Sequence, residues 1–152
     1  MKQKLLLVLF CCLWPVMAWS APVDFTFAGL DGKIVTAAEL RGRVVVLNFA
    51  THWCPRCKAE APALEQAYQA YKERGVVFLN LFVMSEVDDI KAFVKEYKLT
   101  FPVGRDAGMA EQFRIKGVPI TLFIDKSGQV RQRHLDKISF EELQAGIEEL
   151  LK

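Results

Sequence analysis

The stretch Val44 to Phe49, read Val-Val-Val-Leu-Asn-Phe, limits the folds open to this chain more than any other feature. A nearly continuous apolar run rich in β-branched residues suits a strand buried on both faces, with layers of structure above and below it. From Pro55 to about Lys72 the pattern changes. Ala61, Leu64, Ala67, Tyr68 and Tyr71 recur at helical spacing, and Pro62 within that run predicts a kink. A central strand that feeds a helix through a short loop opens a crossover unit. This particular loop carries Cys54 and Cys57 at the point where strand becomes helix.

The remaining pattern completes such a sheet. Asp24 to Phe27 and Ile34-Val35 read as short extended pieces around an Asp31-Gly32 turn, and Thr36 with Glu39 has the form of a capping box. Gly75 ends the first helix, and Val76 to Val83 is a second long buried strand. Ser85 with Asp88 is expected to cap a helix whose face is Ile90, Phe93, Val94 and Tyr97. Ile120 to Ile124 and Val130 to His134, joined by Lys126-Ser127-Gly128-Gln129, form a β-hairpin. Ser139 and Glu142 make another capping box before the apolar stripe Leu143, Ile147, Leu150 and Leu151. Strands separated by helices pair in parallel, and the hairpin adds antiparallel strands to the same sheet. The order predicts an α/β three-layer sandwich with a mixed central sheet flanked by helices.

At 152 residues, 52% hydrophobic and 25% charged, the chain has the make-up of one globular domain. Its first residues stand apart. Lys2 and Lys4 precede the uncharged apolar run Leu5 to Trp14, Pro15 breaks it, and Ala18-Trp19-Ser20 forms a small-x-small site before Ala21. The run is shorter than the roughly 20 residues of a comfortable membrane span. Residues 1–20 are therefore expected to be a signal peptide, with an uncleaved anchor as the alternative, and residues 21–152 the folded domain. Without Lys2 and Lys4 the domain has 18 basic and 18 acidic side chains. That balance gives no electrostatic case for nucleic acid or anionic lipid as the main partner.

Cys11 and Cys12 fall inside the apolar leader, and Phe10 stands where a lipid-attachment site needs a small residue, so the domain keeps Cys54 and Cys57 alone. A disulfide closing so small a loop removes little entropy from the unfolded chain, which makes it a poor staple and a good redox pair. Cys54 sits at a helix start, where unpaired N–H groups and the helix dipole favour thiolate over thiol. Cys54 is expected to attack and Cys57, one turn on, to resolve the mixed disulfide. A metal site is not expected, because only His52 and His134 remain as partners for a zinc ion that wants four ligands.

The segment Trp53-Cys54-Pro55-Arg56-Cys57-Lys58, with Pro62 beyond it, resembles the active-site helix of the thioredoxin superfamily. Gly117-Val118-Pro119-Ile120-Thr121 followed by Phe123-Ile124-Asp125 resembles that superfamily's cis-proline loop and the strand after it, and the match runs from about Val23 to Leu151. Asn48-Phe49, Glu60, and extra strand-helix material from about Phe82 to Asp106 are similar to the TlpA/ResA type. Those are exported proteins, many of which keep cysteines reduced during cytochrome c maturation. The resemblance implies a thioredoxin-like fold, Cys54 as nucleophile, Cys57 as resolving thiol, Pro119 as a cis-proline facing them, and Glu60 as an acid near the buried thiol.

The residues themselves leave several roles open. Pro119 is as consistent with a trans turn as with a cis bond beside a peptide-binding Val118. Glu60 is either a solvated helical side chain or a buried group that relays the Cys57 proton. The resemblance implies a buried Asp where Asn48 stands, and since Asn cannot act as a base it points to Glu60 as the substitute. Pro55 and Arg56 lie between the cysteines and tune the potential, Arg56 by stabilising a thiolate unless it points into solvent. His52, two residues before Cys54, is either a solvated loop histidine or a group that tunes the ionisation of Cys54, and Trp53 reads as part of a docking surface. Ala50-Thr51-His52 departs from the aromatic that opens this triplet in relatives, which bears on substrate preference.

The leading expectation is a periplasmic thiol-disulfide oxidoreductase, a monomer that reduces disulfides of partner proteins, with apocytochromes among the candidates, and is recharged by a membrane electron donor. No heme or flavin motif is present, so sulfur carries the chemistry without a small-molecule cofactor. The alternatives are a disulfide oxidase or isomerase, a thiol peroxidase suggested by Thr51 but opposed by Leu47 where a proline is expected, and a non-enzymatic binding domain on the same fold.

Overall fold

The computed structural model describes residues 21–152, so the leader assigned to residues 1–20 lies outside the described residues. The chain opens with a two-stranded antiparallel ribbon, β1 (Thr26–Ala28) and β2 (Ile34–Thr36). It then enters the central strand β3 (Val45–Ala50), helix α1 (Pro55–Tyr71) and strand β4 (Val77–Phe82). Helix α2 (Val87–Tyr97), strand β5 (Val103–Arg105), the short helix α3 (Met109–Gln112), the hairpin β6 (Ile120–Ile124) and β7 (Val130–Leu135), and helix α4 (Phe140–Leu151) follow. The main sheet has the order β5-β4-β3-β6-β7, with β3, β4 and β5 parallel and β6 and β7 antiparallel.

The mixed sandwich expected from the sequence is present, with β3 in the middle and every residue of it buried. Alternation along the strands divides the core in two. Val44, Val46, Phe78, Phe82 and Phe123 meet α1, α2 and α4 through residues such as Leu64, Ala67, Phe93, Leu143 and Ile147. Val45, Leu47, Phe49, Leu79, Leu81 and Leu122 face the opposite way, where Phe25, Phe27, Leu40, Met109 and Phe113 cover them. The second cover is thus a ribbon, a turn and one short helix rather than a full helical layer.

Gly75, at φ 80, takes the left-handed conformation that ends the helical segment after α1. Ser139 and Glu142 form the expected reciprocal capping box of α4. Thr36 and Glu39 also make the expected side-chain bonds, but they close a turn instead of starting a helix. Pro62 does not interrupt α1, which continues to Tyr71.

Two expectations need correction. Ser85 does not cap α2; the cap position is Glu86, without a side-chain bond, and Ser85 is buried in other contacts. Strand β5 has no place in the expected order of strands, because three residues with glycine at the centre give no apolar alternation. Gly104 is required there since a Cβ would collide with the carbonyl oxygen of Ala28, which lies against the strand.

Candidate active site at the start of helix α1

The loop Thr51–Trp53 carries the chain from the central strand to Cys54, whose extended backbone (φ −76, ψ 118) makes it the N-cap of α1, with Pro55 as the first helical residue. Proline suits that place, since an N1 amide would have no partner within the helix. The Cys54 sulfur accepts the N–H of Cys57 at 3.3 Å, so the cysteine acts as a capping side chain. From the other side the Val118 carbonyl oxygen lies 4.0 Å from the same sulfur, and the Val118–Pro119 peptide bond is cis. Both cysteines are free thiols.

Spacing of three residues on the helix turns Cys57 inward. Cys54 is 7% exposed and Cys57 only 1%. Burial, with the neighbouring Cys54 next in weight, pushes the Cys57 thiol well above its ordinary range, against a smaller opposing pull from the backbone of Thr51. One turn further Glu60 is also 1% exposed. Desolvation raises its carboxyl to about 7, although the Asn48 amide and the Ile138 N–H pull the other way. Its Oε1 accepts from Asn48 Nδ2 at 2.8 Å and its Oε2 from the Ile138 N–H at 3.1 Å. Glu60 is therefore buried rather than solvated on its helix.

Asn48 connects this carboxylate to the sheet. Its Nδ2 also donates to Thr121 Oγ1 at 3.0 Å, and Asn48, Asn80 and Thr121 stand in register across β4, β3 and β6. The sequence signal for this row was a single polar residue in each of three otherwise apolar strands. Asn48 and Thr121 stood out in the sequence only as members of family-like motifs, Asn48 also as a group unable to act as a base, and Asn80 did not stand out at all.

Arg56 neither reaches the sulfurs nor stands free in solvent. Its guanidinium pairs with Asp136 at 2.7 Å, and Asp136, at φ 81, gives its N–H to the Pro119 carbonyl. That aspartate, in the loop after β7, was missed because nothing in its local sequence points back to α1. His52 is not a free loop histidine either. Its Nδ1 lies 3.0 Å from Ser85 Oγ and its Nε2 3.7 Å from Asp89 of α2. Ser85 Oγ also donates to the Val83 carbonyl, which holds it in place beside the ring. The loop before Cys54 is thereby tied to the loop before α2.

Trp53 is 56% exposed, in keeping with a surface role. Met84, which has no local sequence signal of a role, is 77% exposed and borders a cavity of about 530 Å³ that is also lined by Ile115, Gly117 and Val118. Thr51 is fully buried and its Oγ1 has no hydrogen-bond partner. Among the described residues no group of three or more His, Cys, Asp or Glu side chains is arranged to hold a metal ion. No helix there is long and apolar enough to cross a membrane.

The chain matches the model of the AhpC/TSA family over residues 19–133. It is 34% identical over 131 residues to the thiol-disulfide oxidoreductase ResA of Bacillus thuringiensis subsp. konkukian, covering 85% of this chain and 73% of that one. A ResA of Bacillus cereus is 32% identical over 129 residues, covering 84% and 75%. Among solved structures, a thiol:disulfide interchange protein of the thioredoxin family from Chlorobium tepidum TLS superposes with a TM-score of 0.77 at 27% identity, covering 87% of this chain and 95% of that one. A secreted Mycobacterium tuberculosis disulfide oxidoreductase homologous to E. coli DsbE gives 0.75 at 30% identity, covering 83% and 96%.

Proposed function

Because the chain belongs to the AhpC/TSA family, among the thioredoxin-fold thiol-disulfide oxidoreductases, we propose that it is an exported reductant of disulfides in partner proteins, working through Cys54 and Cys57. The observation that carries this reading is the division of labour in burial. Cys54 caps α1 with its sulfur beside Val118, whereas Cys57 is sealed behind it next to Glu60.

In the forward reaction the Cys54 sulfur, as thiolate, attacks one sulfur of a partner disulfide and releases the other as a thiol after protonation. The Cys57 N–H is already directed at Cys54 Sγ, where negative charge resides before the attack. The resulting mixed disulfide leaves Cys57 to act. Its proton passes to the Glu60 carboxylate, and the new thiolate attacks Cys54 Sγ and expels the second partner sulfur. Two electrons move from the dithiol to the partner, and the chain ends as the Cys54–Cys57 disulfide. A membrane electron donor then restores the dithiol.

Val118, Pro119 and Trp53 border the attacking sulfur on the substrate side, and an extended segment of the partner is the ligand they suit. Pairing of Arg56 with Asp136 favours the reductant over the oxidase reading, since a cation shared with a carboxylate does less to stabilise thiolates. Residues 1–20 deliver the domain to the periplasm as signal or anchor, and apocytochrome c cysteines are the substrates this reading favours. The deciding experiment equilibrates the pair against a buffered thiol couple. A potential at or below about −230 mV supports the reductant, and one nearer about −120 mV replaces it with an oxidase or isomerase.

A further inference from the structure

Glu60 must exist in two protonation states if it takes and returns the Cys57 proton, yet the hydrogen bonds around it suit only one. Both of its oxygens accept N–H groups, from Asn48 and Ile138, which is the arrangement of a carboxylate. A protonated Glu60 needs an acceptor for its new O–H. Ile138 offers a backbone N–H and cannot turn it round. Asn48 can: it is 1% exposed, its Nδ2 serves both Glu60 and Thr121, and its Oδ1 has no partner.

We propose that Asn48 is a proton-linked swivel, turning its amide about the Cβ–Cγ bond so that Nδ2 faces Glu60 when Glu60 is ionised and Oδ1 faces it when Glu60 is protonated. The inference rests on the reading of Glu60 as proton acceptor for Cys57. An amide is nearly symmetric in shape, so the half-turn exchanges donor for acceptor without moving the strand. Thr121 accommodates both states, because its hydroxyl accepts from Nδ2 in one and donates to Oδ1 in the other. The unpartnered Oδ1 is then the acceptor held ready for the protonated state. Asn48 is thus a positioning residue, acting on sulfur only through Glu60.

The charged and titratable groups around Glu60 come from three directions. Cys57 and Cys54 lie on its own helix; Asp136, in the loop after β7, raises its carboxyl; and His134 stands opposite Thr121 at the next step across the sheet. Neither Asp136 nor His134 is among the partners bonded to the Glu60 oxygens.

The test uses NMR of the reduced full chain labelled with ¹⁵N, following the Asn48 side-chain amide through the titration of Glu60. Above the midpoint, cross-peaks from the Nδ2 protons to Thr121 are expected. Below it they disappear, and in Glu60→Gln the pattern no longer responds to pH. In Asn48→Leu, the capture of a mixed disulfide by Cys57 slows by roughly tenfold or more, while alkylation of Cys54 is unchanged. Thr121→Val, a milder change, weakens the amide's response without unfolding the chain, and keeps the test open should Asn48→Leu not fold. Cross-peaks that persist unchanged across the titration overturn the swivel, even with Glu60 confirmed as the acceptor by a lost pH dependence of resolution in Glu60→Gln. A resolution step with the same pH profile in Glu60→Gln and the parent removes the reading on which the swivel rests.

Discussion

The two faces of the central sheet are made by the same strands and differ in what they bury. On the face covered by Phe25, Phe27, Met109 and Phe113, strands β3, β4 and β6 present Val45, Leu47, Phe49, Leu79, Leu81, Ile120, Leu122 and Ile124, an apolar set without a polar interruption. On the face under α1 the matching positions include Asn80, Asn48 and Thr121 in one row. Asn48 Oδ1 and Asn80 Oδ1 there have no hydrogen-bond partner. Each such atom costs about 1–3 kcal/mol relative to a satisfied or apolar one. Two of the three buried side-chain atoms without a partner among the described residues lie in this row, so the face that holds the buried acid and the buried thiol gives up stability that the other face keeps.

The largest expected effect concerns function alone. Cys54→Ser brings disulfide reduction down to the uncatalysed rate, and Cys57→Ser leaves the partner covalently attached to Cys54 as a mixed disulfide, visible by mass spectrometry under non-reducing conditions. Both variants keep thermal stability close to that of the reduced parent. Turnover by Cys57→Ser without an adduct contradicts the assigned order of the two sulfurs.

Leu122→Ala, on the apolar face, is the counterpart. Leu122 is fully buried, and truncation costs about 2–5 kcal/mol in denaturant unfolding through lost burial and a cavity. The reduction potential stays where it was. A shift in potential comparable to that seen for changes under α1 erases the distinction between the faces.

The polar face has its own signature in pH. The folded-state Glu60 carboxyl is raised to about 7 from 4.5, so between those values the native state holds a proton that the unfolded chain has released. Stability therefore falls as pH rises from about 4.5 to about 7 and levels off above, by on the order of 3 kcal/mol in total. Glu60→Gln removes this slope, as urea titrations at stepped pH will detect. An unchanged slope assigns it to another group.

Asn80→Leu reads the cost of the row directly. The Asn80 side chain is buried, and its oxygen is without a partner. An apolar side chain of similar size there raises stability by about 1 kcal/mol and leaves exchange kinetics unaltered. Destabilisation instead makes Asn80 a working member of the polar network.

Much of this was legible in sequence because it is local. The strand β3, the Cys54 cap and the Ser139–Glu142 box are each set by residues within a few positions of one another. Which residues of the buried strands go to which face was not read from the sequence, because a continuous apolar run shows no alternation of its own. Pairings across the fold were not legible: Arg56 meets Asp136, and His52 meets Ser85 and Asp89, over separations that carry no periodic signal. Ser85 was misread for a related reason, since its local pattern fits a cap while its hydroxyl instead bonds the Val83 carbonyl and His52 of another loop. Burial of Glu60 was undecidable for a helical glutamate until α1 was seen to press it onto Asn48 and the Ile138 amide. The strand β5 escaped because its glycine answers to Ala28 on a distant ribbon.

The smallest expected effect tests whether charge at the rim matters beside burial beneath it. Arg56 and Asp136 are both largely exposed, so their ion pair adds little to stability and is screened by salt. Arg56→Ala removes a cation already matched by a carboxylate and changes the reduction potential little. Asp136→Asn leaves the cation unmatched one residue from each cysteine, which favours thiolate and makes the pair more oxidising by under about 30 mV at low ionic strength. The same substitution removes a negative charge that raises Glu60, so the stability slope shifts toward lower pH at the same time. Added salt shrinks the potential difference between the variants, whereas the effect of Glu60→Gln, made in a buried site, persists. A salt-resistant change in Asp136→Asn would place the rim pair inside the buried network rather than above it.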